Sequence, residues 1–416
     1  MPAPLPQTLE DWLHWQQHRH HTQIDLGLGR VGAVAQRLAL RRPARHVLTI
    51  GGTNGKGSTA AFAAAMASAG GLRVGVYSSP HLFEYPERIR IDGKPVAQGP
   101  LLAAFERIEH ARGEIPLTYF EYGTLAALLL FADAALDLAV LEVGLGGRLD
   151  AVNLIDADVA VVTRVALDHM AYLGPDRDAI GREKAGIARP GRPLVIGEPA
   201  PPMGLLQAAA EARLVRAGQS FEVTAASAGW CWRGGGRRLE LPWPGLAGRH
   251  QQDNAAAAIA ALEALELGLA ASAYREGVRA AHLPGRCETC RVAGVPALLD
   301  VAHNADAAAA LAAHVQAQWG RAPVVLAMRE DKDAAAFISA LAPAASAWHL
   351  APLPEGPGAE VARLAAAVGA AGSRVAGEHI DVAAAVAAAA AGASPPVPVV
   401  VTGSFLTVAA VRADGL

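Results

Sequence analysis

The chain has 416 residues and a mass of 42.8 kDa, room for two or three domains at roughly 150 residues each. Hydrophobic residues make up 52% and charged residues 18%, so it can bury a sizeable core and does not read as a disordered chain. Lys and Arg number 36 against 39 Asp and Glu, a net charge of −3 that excludes the broad positive field of a nucleic-acid or anionic-membrane binder.

Three cysteines, Cys231, Cys287 and Cys290, cannot build a secreted-type disulfide framework and fit a reducing compartment. Residues 1–6 have neither the basic start nor the apolar run of a signal peptide. The uncharged stretch from Val382 to Val411 is long enough to span a bilayer, but it is mostly alanine. Pro395, Pro396 and Pro398 break it into a helix, a turn and a strand. The chain is expected to be soluble, cytoplasmic and monomeric, with no membrane or nucleic-acid partner.

In chain order, His14, His18, His20 and His21 come first, and they read as a polar helix face and not as a metal site. Short apolar runs then alternate with alanine-rich helical stretches, the pattern of a parallel sheet wrapped by helices. Strands are expected at 47–50, 74–77, 138–143, 159–163 and 194–197, with helices starting near Ser58, Pro100, Tyr122 and Asp178. The tryptophans and glycine turn of residues 221–243 suggest antiparallel strands at one edge of that sheet. Helices follow at 254–267 and 272–281. A second alternating series starts after Leu283-Pro284-Gly285-Arg286, with strands expected at 297–301, 324–327, 347–350 and 397–401. The boundary is placed there, giving domains 1–285 and 286–416. The fold class is thus α/β, a P-loop parallel-sheet domain followed by a smaller Rossmann-like one. The alanine runs 307–310 and 383–391 are ordinary helix.

Chemistry concentrates at strand ends. The run Leu48 to Thr59 takes an apolar strand through Gly51, Gly52, Asn54, Gly55, Lys56 and Gly57 into a helix. Such a turn offers backbone N–H groups and a helix N-terminus to phosphates, with Lys56 for the outer phosphates and the Ser58 hydroxyl for Mg²⁺. Glu142 ends the 138–143 strand, where a carboxylate near a phosphate loop is suited to Mg²⁺. Asp168-His169 follows the 159–163 strand, and Ser78-Ser79-Pro80-His81 follows 74–77. By spacing alone, Arg182-Glu183-Lys184 is a solvated ion-pair face. Cys287-Glu288-Thr289-Cys290 has no second pair to complete a zinc site and follows a Pro-Gly linker, so no metal or redox role is expected.

These residues resemble the Mur ligase superfamily, and within it the bacterial dihydrofolate synthase/folylpolyglutamate synthase branch. The variant loop Gly52–Ser58 is similar to that superfamily's P-loop. Tyr77–Leu82, Glu87–Arg90, Thr118–Tyr122, Leu141–Asp150, Asp168-His169, Ile180–Ile187, His250-Gln251, Asn254–Ala256, Leu283–Arg286, Asp300–Asn304 and Gly403–Phe405 extend the similarity over nearly the whole chain.

The resemblance implies that Asn54, Gly55, Lys56, Gly57 and Ser58 bind ATP phosphates, with Asn254, Arg286 and Asp300 completing the nucleotide site. It implies two Mg²⁺ ions, one on Ser58 and Glu142, the other on Ser79, His169 and a carbamylated Lys184. Lys56, Lys184, His169, Asp300 and His303 are the implied catalytic residues, and His303 and Asn304 would face glutamate. Asp25, Leu26, Gly27 and Leu28, with Arg30 and Val31, would form the dihydropteroate pocket together with Thr118, Tyr119, Phe120, Glu121, Leu149, Asp150 and Ala151.

The chain departs from the family pattern in three places: Ala305 stands for a proline, Met328-Arg329-Glu330-Asp331-Lys332-Asp333 lacks the usual glycine before its Asp-Lys-Asp, and Cys287 stands for an aromatic. The implied reaction joins L-glutamate to 7,8-dihydropteroate and to reduced folates at the expense of ATP. A cell-wall ligase would carry a uridine-nucleotide domain before the first strand, and a regulatory nucleotide switch would need neither an acceptor pocket nor His303-Asn304.

Overall fold

In the computed structural model, residues 5–20, 22, 24–392 and 396–412 are described; His21 and Pro395, singled out above, lie outside them. The chain divides into two compact units. One holds Met1–Val165, His169–Gly245 and Asp253–Ala281; the other holds Ala166–Asp168, Leu246–Gln252 and His282–Leu416. The second unit thus takes in two short upstream pieces that a single cut at residue 285 does not include.

The strands of the first unit are β1 (Ala44–Gly51), β2 (Val74–Tyr77), β3 (Ile89–Ile91), β4 (Lys94–Pro95), β5 (Leu136–Glu142), β6 (Val159–Val162), β7 (Pro193–Ile196) and β8 (Arg213–Arg216). They form one sheet of order β4-β3-β2-β5-β1-β6-β7-β8. From β2 to β8 all neighbours are parallel, and β3 and β4 add an antiparallel edge. The central strands are buried along most of their length, as expected where helices cover both faces. Trp12, Phe105, Tyr122, Phe131, Leu141 and Ile196 belong to one continuous core.

β9 (Phe221–Ala226), β10 (Gly229–Gly234) and β11 (Arg237–Leu241) correct one expectation. They are antiparallel but form a separate three-stranded sheet, not an edge of the large one. β10 is buried over Gly229–Trp232, with the Trp230 indole N–H donating to the Pro242 carbonyl at 2.8 Å. It is therefore covered on both faces by its own surroundings.

The second unit carries β12 (Glu288–Val292), β13 (Val295–Leu299), β14 (Ala322–Leu326), β15 (Ala345–Leu350), β16 (Val375–Glu378) and β17 (Val399–Thr402), in order β12-β13-β17-β14-β15-β16. Only β12 is antiparallel. The alanine runs are helical, in Ala305–Trp319 and Val382–Ala391; the latter starts where the Asp381 carboxylate accepts the Ala384 N–H at 2.7 Å. The uncharged C-terminal stretch resolves into that helix, β17 and the helix Phe405–Arg412. Among the described residues no helix is long and apolar enough to cross a membrane.

Candidate active site

β1 runs into a loop whose glycines are demanded by close approach. A Cβ on Gly52 would lie 1.9 Å from the Thr163 hydroxyl oxygen, and one on Gly55 would lie 2.4 Å from Asn254 Oδ1. Gly55 caps the helix Lys56–Ala69 with a φ of 86°, a left-handed conformation that glycine adopts freely. That helix starts two residues before the expected Ser58. Thr163 Oγ1 donates to the Asn54 carbonyl at 2.7 Å and the Thr53 N–H to Arg164 O at 2.6 Å, so the chain just after β6 fixes the loop. A helix N-terminus carries N–H groups with no intrahelical partner, a favourable seat for phosphate, and Gly55 has no side-chain cap to occupy them.

Strand register sets the acidic and hydroxyl groups around this loop. Glu142 pairs with Ile50 across β1 and β5, and Tyr77 with Leu141 across β2 and β5, so Glu142 and the Ser78-Ser79 turn leave the same sheet edge. Glu142 is 5% exposed and Ser58 is buried. Lys184, in the helix Arg177–Ala185, is 3% exposed, and its Nζ donates to the Gly52 carbonyl at 3.0 Å. Lys56 Nζ donates to the same oxygen at 3.1 Å and to Thr53 O at 3.1 Å. The spacing-only reading of Lys184 as a solvated cation is therefore wrong: Arg182 is the exposed one, and Glu183 pairs with Arg148 at 2.9 Å. His169 opens the short helix Met170–Leu173 with φ at 51°.

Ser58, Ser79 and Glu142 are oxygen donors of the kind a hard divalent cation prefers. No cluster of three or more His, Cys, Asp or Glu side chains suited to a metal exists among the described residues. One carboxylate with hydroxyls fits Mg²⁺, which usually takes one or two carboxylates and completes its shell with water and phosphate oxygens.

The implied pterin residues also meet. Arg30 bridges Asp25 at 2.7 Å and Glu121 at 3.3 Å, and the Gly27 N–H donates to Leu149 O at 3.1 Å. Thr118 and Glu121 form a reciprocal capping box on the helix Tyr119–Ala134. The Phe120 ring lies against the backbone of Gly144, where a Cβ would come within 2.6 Å, and 5.9 Å from Tyr77. The 3-10 turn Ala151–Leu154 starts from Asp150, whose oxygens accept the N–H groups of Leu145 at 2.8 Å and Val152 at 2.9 Å. Burial pushes the Asp150 carboxyl up to about 6, against the opposing pull of those N–H groups, of Gly144 and of Lys56. Glu121 and Asp150 thus order the pocket loops; Leu28 caps the helix Gly29–Arg37.

His20 corrects the polar-face reading. His14 and His18 are exposed neighbours, but His20 is buried, with Nε2 3.3 Å from Asp25.

In the second unit, Asp300 follows β13. Its Oδ2 accepts the Cys287 N–H at 2.8 Å, and Oδ1 accepts the Ala302 N–H at 2.8 Å. The Arg286 guanidinium sits 5.1 Å over the Phe405 ring, and the His303 ring lies 6.1 Å from that ring. Asn304 caps the helix Ala305–Trp319 and donates to Asp168 at 3.2 Å. Lys332 Nζ lies 2.6 Å from the same carboxylate and His303 Nε2 3.5 Å from it. Ala305, where the family pattern has proline, is the first residue of this helix. Proline is favoured at such a position, but alanine is a good helix former and costs little there.

Residues 50–193 match the Mur ligase middle domain and residues 285–405 the Mur ligase glutamate ligase domain. The dihydrofolate synthase/folylpolyglutamate synthase of Escherichia coli K12 is 47% identical over 355 residues, covering 84% of this chain and 82% of that protein. The chain belongs to the dihydrofolate synthase/folylpolyglutamate synthase family. Solved members of the family superpose closely on it. The E. coli enzyme in complex with DHPP and ADP gives a TM-score of 0.92 at 43% identity, covering 98% of this chain and 97% of that one. A bifunctional folylpolyglutamate synthase/dihydrofolate synthase with Mn, AMPPNP and L-glutamate bound gives 0.90 at 44%, covering 98% of each chain.

Within this family fold, sequence reasoning missed Asp168 as a meeting point for Lys332, Asn304 and His303. Its adjacency to His169 drew attention to the imidazole instead. It also missed Thr163 as the brace of the phosphate loop; a threonine ending an apolar strand carries no distinguishing signal.

Proposed function

We propose that this chain ligates L-glutamate to 7,8-dihydropteroate, giving dihydrofolate, and to the γ-carboxyl of reduced folates, with ATP consumed to ADP and phosphate. The observation that carries the reading is the 47% identity to a dihydrofolate synthase/folylpolyglutamate synthase over most of both chains. The ligands of the solved relatives, DHPP and ADP in one and AMPPNP, Mn and L-glutamate in another, support the substrate set.

The γ-phosphoryl passes to an oxygen of the acceptor carboxylate, breaking its bond to ADP and forming an acyl phosphate. The glutamate amine attacks the carbonyl carbon, the carbon–oxygen bond to phosphate breaks, and the amine proton is lost. Asn54, Gly55, Lys56 and Gly57, with the helix N-terminus, hold the phosphates, and Lys56 offsets charge spreading over the transferred group. Asn254, Arg286 and Asp300 contribute the remaining nucleotide contacts.

Ser58 and Glu142 would hold one Mg²⁺, and Ser79, His169 and carbamylated Lys184 a second. The ions supply charge neutralisation at the phosphates. Asp25, Leu26, Gly27, Leu28, Thr118, Tyr119, Phe120, Leu149 and Ala151 line the pterin side, held by Arg30, Glu121 and Asp150. His303 and Asn304 bind on the glutamate side. Positioning is the main catalytic device: holding amine and acyl carbon in attack geometry removes much of the entropic barrier.

The near-neutral charge favours small-molecule substrates over nucleic acid or an anionic membrane, and a cytoplasmic, monomeric enzyme is part of the same proposal. The test is a product assay with ATP, Mg²⁺ and glutamate, offering dihydropteroate or a reduced folate. Glutamylated product from both supports the reading. Product from reduced folates alone leaves a monofunctional folylpolyglutamate synthase, and no product from either overturns it.

A further inference from the structure

Cys287 stands where the family pattern has an aromatic, and its thiol points at Asp300. The Cys287 N–H donates to Asp300 Oδ2 at 2.8 Å, and its Sγ lies 3.4 Å from the same oxygen. Both residues are buried, Cys287 at 2% exposure and Asp300 at 8%. Burial pushes the thiol pKa well up, with the Asp300 charge adding to it, so the sulfur keeps its proton and donates it. Cys287 adopts a φ of 44°, a left-handed conformation that costs a non-glycine residue about 1 kcal/mol or more. Here N–H and S–H of the one residue both reach the one oxygen, and the turn is closed by the Val301 N–H donating to Gly285 O at 3.0 Å.

We infer that Cys287 is a positioning residue for Asp300, orienting the carboxylate that contacts the nucleotide. An ionised carboxylate has about four acceptor positions. Cys287 N–H and S–H occupy both on Oδ2, and Ala302 N–H takes one on Oδ1, at 2.8 Å. Among the described residues these are the donors to Asp300, which leaves one position on Oδ1 for a donor on the nucleotide. A phenyl ring at 287 would have no side-chain donor for this carboxylate, whereas the thiol supplies a directed hydrogen bond. The inference rests on the nucleotide role proposed for Asp300, and its test separates the two.

Cys287→Ala removes the S–H donor and keeps the backbone one; Cys287→Ser keeps both. With the full chain, the expected result is a KM for ATP raised about three- to tenfold in Cys287→Ala, the scale of one weak hydrogen bond to a charged group. Turnover and the KM for glutamate should stay within twofold, and ADP affinity by calorimetry should weaken in parallel. Cys287→Ser should restore both nucleotide values. Asp300→Asn serves as the reference. If Asp300→Asn weakens ADP binding and Cys287→Ala does not, the positioning role is wrong and the nucleotide role of Asp300 stands. If both cysteine variants lose turnover and melting temperature equally, Cys287 is structural only. If Asp300→Asn leaves ADP affinity unchanged, the nucleotide reading of Asp300 itself fails.

Discussion

Replacing Lys184 by arginine tests the most distinctive feature of the phosphate loop. Lys184 Nζ and Lys56 Nζ lie 3.0 and 3.1 Å from one oxygen, the Gly52 carbonyl, so the two nitrogens are no more than about 6 Å apart. At an effective dielectric of about 20, two unit positive charges at that separation repel by about 3 kcal/mol. A carbamate on Lys184 reverses the sign and adds oxygen ligands for Mg²⁺. Arginine keeps the positive charge and does not form the carbamate. At 1.36 kcal/mol per tenfold, Lys184→Arg should lose about a hundredfold in turnover at saturating ATP. Lys184→Ala should fall similarly, and acetate should restore part of its activity by supplying the missing carboxylate. The assay is glutamate-dependent ADP release, with melting temperature recorded alongside, because Lys184 is buried. An arginine variant with near-normal turnover would refute the carbamate and leave Lys184 as a simple hydrogen-bond donor to Gly52.

Lys56→Ala should abolish ligation while moving the melting temperature by only a few degrees, since among the described residues its Nζ bonds to the Gly52 and Thr53 carbonyls of its own loop; activity within threefold of wild type would sink the phosphate role. Gly52→Ala should raise the KM for ATP at least about tenfold, because its Cβ would meet the Thr163 hydroxyl that braces the loop; unchanged ATP kinetics would contradict that packing. Asp150 carries a pH signature. Its folded pKa is raised from 3.8 to about 6, so the native state holds the extra proton between those values and loses stability from this group as pH rises through them. The stability of wild type relative to Asp150→Asn should therefore fall by about 3 kcal/mol between pH 3 and 7, measured by urea unfolding; a flat difference would show that Asp150 is not desolvated.

Most of the parallel sheet was legible because buried strands are continuous apolar runs, and β1, β2, β5, β6 and β7 all lie where such runs predict. The strands that escaped are polar or short. β4 is Lys94–Pro95, β8 is bounded by Arg213 and Arg216, and β16 alternates between half-buried and exposed. Edge strands need only one packed face, so they leave a weak hydropathy signal. The phosphate loop was readable since its chemistry is local: strand, glycines, lysine, hydroxyl and helix are contiguous. The buried state of Lys184 was not, because it depends on a hydrogen bond to a carbonyl 132 residues away in sequence. The same holds for His20 against Asp25, where nothing in a run of histidines distinguishes the one that turns inward. The spacing of Cys287 to Cys290 says nothing of its partner, which is Asp300 at the exit of the next strand.

The central claim is that ATP activates the pterin-linked carboxylate before glutamate attacks. The most direct measurement uses dihydropteroate whose carboxylate carries heavy oxygen, with ATP, Mg²⁺ and glutamate, followed by mass analysis of phosphate and product. An acyl phosphate hands one carboxylate oxygen to the departing phosphate, so one labelled oxygen should appear in phosphate for each dihydrofolate formed. Phosphate released without label, or label transferred with no glutamylated product, would contradict the mechanism.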